Sequence, residues 1–264
     1  MLHRSAHEAA LYSLTNNRGN LLALGDWRVN ALIDCPRASA YNSTAMTNPV
    51  NNPPGDVPFT EIAASLAHIS RMFYDRRWTL GTSGNFSAVI SRDPLRLAIT
   101  SSGVDKGQLA TEHILLVDEN GQPVDGTGQP SAETLLHVAI ARTLGANAVF
   151  HTHSIWSTLV SEAHLNEGGL TIQGYEMLKG LEGVRSHEHC EWIPILDNSQ
   201  DYRQLAGAVE ALLQRHPNTH GLLLYRHGLY TWGADLAAAK RHVEILEFLL
   251  EVTGRTLPHV NGRP

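Results

Sequence analysis

Two histidines one residue apart, His151-Thr152-His153, close the apolar run Ala148-Val149-Phe150 and have the types and spacing of a metal-ligand pair. In an extended strand, side chains two apart project to one face, so both imidazoles can converge on one cation at roughly 2.0–2.1 Å. The pair alone is weak, because a chain with 15 histidines makes such spacings by chance. A third ligand is needed. His227 is the best candidate, since in Leu222-Leu223-Leu224-Tyr225-Arg226-His227-Gly228 a strand-type run ends in a turn. Three neutral imidazoles leave a fourth tetrahedral position for water or substrate, which is a catalytic rather than a structural arrangement. The plain alternative is that His227 caps a strand end.

His187-Glu188-His189-Cys190 is a rival group of ligands in a smaller window, on a loop or strand entry. A structural zinc site there needs four ligands closed around the ion, and no second Cys or His group stands nearby in sequence.

The elements that must position these residues begin near Thr60, a candidate cap for a helix with Ile62, Leu66, Ile69 and Phe73 at helical spacing. Strand-like runs follow at 85–90, 95–100 and 114–117, separated by turn residues. Ser131 reads as the N-cap of a helix that closes at Gly145, directly before the His-x-His strand. A helix over 154–164, a strand at 192–196, a helix over 201–216 and the His227 strand come next. A last helix over 235–253 is expected to stop at Gly254. Neither a dinucleotide fingerprint nor a phosphate-binding Gly-Lys-Ser/Thr loop occurs, so an α/β sandwich around a mainly antiparallel sheet fits better than a doubly wound one.

Residues 1–57 differ in texture and end in a stretch rich in Thr, Asn, Pro and Gly, which reads as a poorly ordered extension or linker, with Met46 as an alternative native start. The catalytic domain is expected over 58–255 and a tail over 256–264. A net charge of −6 argues against nucleic acid as the general partner, while leaving a local phosphate site open. The two cysteines, Cys35 and Cys190, have no spacing that suggests a disulfide framework or redox motif, so a reducing cytoplasm is the default. No signal-type segment and no apolar run of the roughly 18 to 20 residues needed to span a bilayer is found, so no membrane partner is expected.

Three further segments combine with the histidines: Gly81-Thr82-Ser83-Gly84-Asn85-Phe86-Ser87, Ile99-Thr100-Ser101-Ser102-Gly103, and Pro130-Ser131-Ala132-Glu133-Thr134 with Leu135-Leu136-His137. Together, and in this order, they resemble the class II aldolase and adducin-head family over about residues 58–255. Within it, Gln173-Gly174-Tyr175-Glu176-Met177-Leu178-Lys179-Gly180 and the following 187–192 stretch look like the dehydratase branch that serves methionine salvage. The resemblance implies a class II aldolase-like sandwich, a zinc-dependent hydro-lyase acting on a small sugar phosphate, and a homotetramer with one zinc per subunit. It implies ligands at His151, His153 and His227, and substrate phosphate binding by Asn85, Ser102, Gly103 and Ser131. Small hydroxyls, amides near glycine and a helix N-terminus suit an anion independently.

Glu176 and Glu133 compete for proton transfer. The family's aldolases rely on a glutamate at the Glu133 position and its salvage dehydratases on one at the Glu176 position. Proton transfer is assigned to Glu176, and Glu133 to substrate binding near the zinc. The rivals are a sugar-phosphate aldolase or epimerase on the same scaffold and a non-catalytic adducin-head-like interaction module, which has no need of three converging histidines.

Overall fold

The computed structural model describes residues 57–257 and, nearer the N-terminus, a two-residue ladder of β1 (Leu14–Thr15) antiparallel to β2 (Leu21–Leu22). The chain divides into two compact units, Met1–Tyr41 and Asn42–Pro264, and the sheet and helices that follow lie in the second. The expected linker, the Met46 start, Cys35 and all but the first two residues of the tail lie outside the described residues.

Helix α1 (Phe59–Asp75) starts one residue before Thr60, with Pro58 in the cap position. The Pro58 carbonyl accepts from the amides of Glu61 and Ile62, and its φ of −58° already suits a helix entry. Ile62, Leu66, Ile69 and Phe73 are buried, as their spacing predicts.

Nine strands make one sheet: β3 (Asn85–Arg92), β4 (Leu95–Thr100), β5 (Ile114–Asp118), β6 (Pro123–Asp125), β7 (Ala148–Thr152), β8 (Gly169–Ile172), β9 (Glu191–Leu196), β10 (Gly221–Leu224) and β11 (Gly228–Gly233). Their spatial order is β6-β5-β4-β3-β7-β11-β10-β9-β8, and every neighbouring pair is antiparallel except β9 with β10. That parallel pair needs a crossover, which α4 (Tyr202–Arg215) supplies. The sheet is therefore mixed and mainly antiparallel, flanked by helices, as expected. Strands β6, β8 and β11 had no clear signal: β6 is short and exposed, and β8 and β11 begin at glycines that read as turns.

Helices cover both faces. On one, α2 (Thr134–Leu144) and α4 pack Leu136, Ile140, Val209 and Leu213 over Val149, Tyr230 and the outer strands. On the other, α1 and α5 (Leu236–Thr256) bury Phe73, Phe86, Phe150 and Val243, the three phenylalanines meeting edge to face at 5.3–6.1 Å between ring centroids. Both faces being covered, the central strands are buried throughout and lose the alternation that marks a half-exposed strand.

Two further boundaries differ from expectation. Helix α2 starts three residues after Ser131, which instead closes a preceding turn: its carbonyl accepts from the Thr134 amide at 3.0 Å. The helix does close at Gly145, whose φ of 69° suits glycine. Helix α5 continues past Gly254 to Thr256, because that glycine serves packing: a Cβ there would stand 2.6 Å from the Trp156 ring on α3 (Ile155–Ala163).

Candidate metal and phosphate site

Register places the site on one row of the sheet. Asn85 of β3, His151 of β7 and Tyr230 of β11 are direct neighbours across three strands. His153 lies just past the end of β7, where its amide donates to the Trp78 carbonyl at 2.7 Å. His227 sits in the tight β10–β11 turn, next to Arg226 with a left-handed φ of 52°, which swings the chain back toward β7. Close backbone approach is required here, since a Cβ on Gly228 would fall 2.0 Å from the Thr152 carbonyl oxygen.

These elements bring the three histidines together with Glu133, at the start of α2, so that one donor atom of each lies within 4.8 Å of all the others. The His151 and His153 Nε2 atoms are 2.7 Å apart, those of His151 and His227 3.3 Å, and Glu133 Oε1 is 3.0 Å from His227 Nε2. The Leu229 carbonyl accepts from His151 Nδ1 at 2.9 Å, and Asn198 Oδ1 from His227 Nδ1 at 3.3 Å. Those bonds leave both Nε2 atoms bare, aimed at each other and at a carboxylate. Acceptors facing acceptors at such distances call for a cation, and a His₃Glu cluster in which two of the histidines have oriented second nitrogens suits a divalent metal.

Electrostatics agree. Burial above all brings His151 down to about 3 and His153 to about 2, so both rings are neutral at pH 7, as ligands must be. Burial alone would raise Glu133, but His151, His227 and the Asn85 amide outweigh it and hold the carboxyl ionised, below the usual carboxylate range. Tyr230 stacks on the His151 ring at 3.9 Å and 12° and fixes its plane.

The family model described as Class II Aldolase and Adducin N-terminal domain matches residues 64–253. The chain belongs to this family. Among class II aldolase family relatives, it is 42% identical over 195 residues to the methylthioribulose-1-phosphate dehydratase of Sorangium cellulosum, covering 73% of this chain and 91% of the relative. To the protein of the same name from Methylococcus capsulatus it is 44% identical over 201 residues, covering 76% and 96%. Two solved structures share the fold: an L-fuculose 1-phosphate aldolase (TM-score 0.62, 20% identity, 77% of this chain and 91% of that one) and the L-fuculose-1-phosphate aldolase from Thermus thermophilus (TM-score 0.59, 23% identity, 74% and 95%).

The segments expected to bind phosphate are drawn together as well. Asn85 Nδ2 donates to Ser131 Oγ at 3.2 Å and to Glu133 Oε2 at 2.6 Å, and the isolated bridge between Ser101 and Pro130 lays the Ser102-Gly103 loop beside Ser131. The Ser102 amide is already given to the Gln129 carbonyl at 2.8 Å, so this residue has its hydroxyl to offer. Gly103, at φ 74°, has open space where a Cβ would be.

Glu176 is not brought to this cluster. It stands on the 3₁₀ turn Glu176–Gly180 with its side chain 71% exposed, paired with Lys179 at 2.5 Å and near His187 at 3.8 Å. Conversely, His137 was unassigned by sequence although it lies in a quoted motif. It is fully buried, with Nε2 at 2.5 Å from Asn85 Oδ1 and Nδ1 at 2.7 Å from Ser87 Oγ, and so orients Asn85. Tyr230 gave no signal because its relation to His151 exists only across strands.

Of the rival group, His187 lies near Glu176 and His189 joins a different object. Glu191 Oε2 accepts from His189 Nε2 at 2.8 Å and His220 Nδ1 at 3.0 Å, while His220 Nε2 donates to the Glu182 carbonyl at 2.8 Å. With both nitrogens facing acceptors, His220 is an imidazolium paired to a buried carboxylate. The His189 and His220 ring centroids are 6.4 Å apart, against 4.4–4.9 Å among His151, His153 and His227. Two imidazoles on one tetrahedral ion sit about 5 Å apart, given metal–nitrogen distances of about 2.0 Å. The group is a proton-bridged brace, not a second metal site.

Proposed function

We propose that this protein removes water from 5-methylthioribulose 1-phosphate to give 5-methylthio-2,3-dioxopentyl phosphate, the dehydration step of methionine salvage, as a cytoplasmic homotetramer with one zinc per subunit. The observation that carries this is the convergence of His151, His153, His227 and Glu133 beside Asn85 and Ser131, in a chain more than 40% identical to dehydratases of that name.

Zinc held by the three histidines would supply Lewis-acid polarisation of the C2 ketone, making the C3 proton acidic. Asn85, Ser102, Gly103 and Ser131 would hold the phosphate and so fix C3 and C4 relative to the proton-transfer group. Glu133, kept ionised and bonded to Asn85, orients the substrate-facing edge of the pocket. Glu176 is held as a carboxylate by Lys179, the form able to take the C3 proton. It then returns that proton to the C4 hydroxyl as it leaves, and the resulting enol ketonises to the 2,3-diketone.

The deciding experiment incubates zinc-loaded protein separately with 5-methylthioribulose 1-phosphate, fuculose 1-phosphate and ribulose 5-phosphate and follows products by mass. Loss of one water from the first alone is the expected outcome. Cleavage or isomerisation of either of the others would place the chain among aldolases or epimerases instead.

A further inference from the structure

Lys106 is the least expected charge in the molecule. Its side chain is 1% exposed, and its Nζ donates to the carbonyls of Thr82 and Val104 at 3.0 Å each. Among the described residues no carboxylate pairs with it, so an ammonium lies in the interior with only neutral acceptors. That placement is costly unless a counter-charge arrives.

Its position says which one. Thr82 belongs to the segment that leads into Asn85, and Val104 follows Ser102-Gly103, so the ammonium sits between the two loops that carry three of the phosphate-binding candidates. The residue's backbone is anchored too: its amide donates to the Gly81 carbonyl at 3.3 Å, and its carbonyl accepts from Ser70 Oγ on α1 at 3.2 Å. Two of three ammonium protons are committed, leaving one donor over. Burial lowers the group to about 8, against the pull of Asp105 and Glu133, so it is charged near neutrality but held weakly enough to gain from an anion.

We infer that Lys106 is a positioning residue for the phosphate end of the substrate: it clamps the 81–84 and 101–104 loops around the pocket and provides the fixed positive charge that a phosphate dianion neutralises. This rests on the phosphate-binding assignment above, but not on dehydration, since an aldolase or epimerase at this site would need the same charge.

The chain contains three lysines, Lys106, Lys179 and Lys240, which makes the test direct. Zinc-loaded wild-type protein carrying ¹³Cε-lysine is titrated with inorganic phosphate and followed by NMR, with Lys106→Arg assigning the resonance. The Lys106 signal should shift with saturation, and those of Lys179 and Lys240 should stay. In parallel, phosphate should raise the melting temperature of the wild type, and Lys106→Met, with its zinc content unchanged, should need at least about tenfold more phosphate for the same rise, while Lys106→Arg keeps most of the response. Phosphate-dependent stabilisation with an unmoved Lys106 signal would overturn the inference and leave the pocket standing. Absence of any phosphate response in the wild type would remove the pocket and the inference together, whatever reaction the enzyme performs. The NMR arm needs no lysine-to-methionine variant to fold.

Discussion

His151 shows how much one residue's function depends on its neighbours' chemistry. Leu229 fixes its tautomer, Tyr230 its plane and burial its neutrality, so a ring that is solvated and half-charged elsewhere is prepared here for the ligand role proposed. His153→Ala should therefore cut bound zinc well below one per subunit and lower turnover by about a hundredfold or more, read by elemental analysis beside the activity assay. A variant that keeps full zinc would take His153 out of the ligand set. Glu176 makes the opposite prediction, because it touches none of the four cluster residues in the structure. Glu176→Gln should bind zinc normally yet lose about a hundredfold or more in kcat. Near wild-type kcat would return proton transfer to Glu133.

Elements hold the site through braces that lie outside it. The stretch between the Glu176–Gly180 turn and β9 is pinned by Glu191, which pairs with His189 and His220, and by His242 of α5, which accepts from the Glu182 amide at 3.0 Å. Burial alone would raise Glu191 and lower His220. Their mutual pairing wins, bringing Glu191 down to about 2 and His220 up from 6.5. The sign follows from linkage: the Glu191 contribution is present above its unfolded value of 4.5 and fades as pH falls toward 2, while the His220 contribution is present below 6.5 and fades as pH rises through its raised folded value. The gap in melting temperature between wild type and Glu191→Gln should thus be widest from pH 4.5 to 6.5 and shrink on both sides. At its widest it should correspond to about 3 kcal/mol, roughly 6–12 °C. A gap independent of pH would mean that the pair contributes only shape.

At the scale of the whole molecule, the candidate metal site joins parts far apart in sequence: the start of α2, the end of β7 and the β10–β11 turn. Binding an ion there stabilises the folded state by mass action, about 4 kcal/mol when the ion is at a thousand times its dissociation constant. Chelation should lower the melting temperature by roughly 8 °C or more, and added zinc should restore it. An unchanged melting curve would argue that no ion is held. Among the described residues no helix is long and apolar enough to cross a membrane.

What the sequence determined by itself was local or carried by resemblance. The period of α1, the starts of the helices near Ser154 and Asp201, the Gly145 stop, the His-x-His pair and the ordered motifs of the family could all be read from neighbouring residues. The resemblance put Glu133 near the histidines, but the sequence did not show that Asn85 and Tyr230 flank His151, that Gly254 is a contact rather than a stop, or that Lys106 lies buried between two loops. Each of these depends on strand register and helix docking between segments tens of residues apart. Side-chain period reports which face a residue takes within its own element, while the partner across that face is chosen only when the sheet closes and both of its sides are covered.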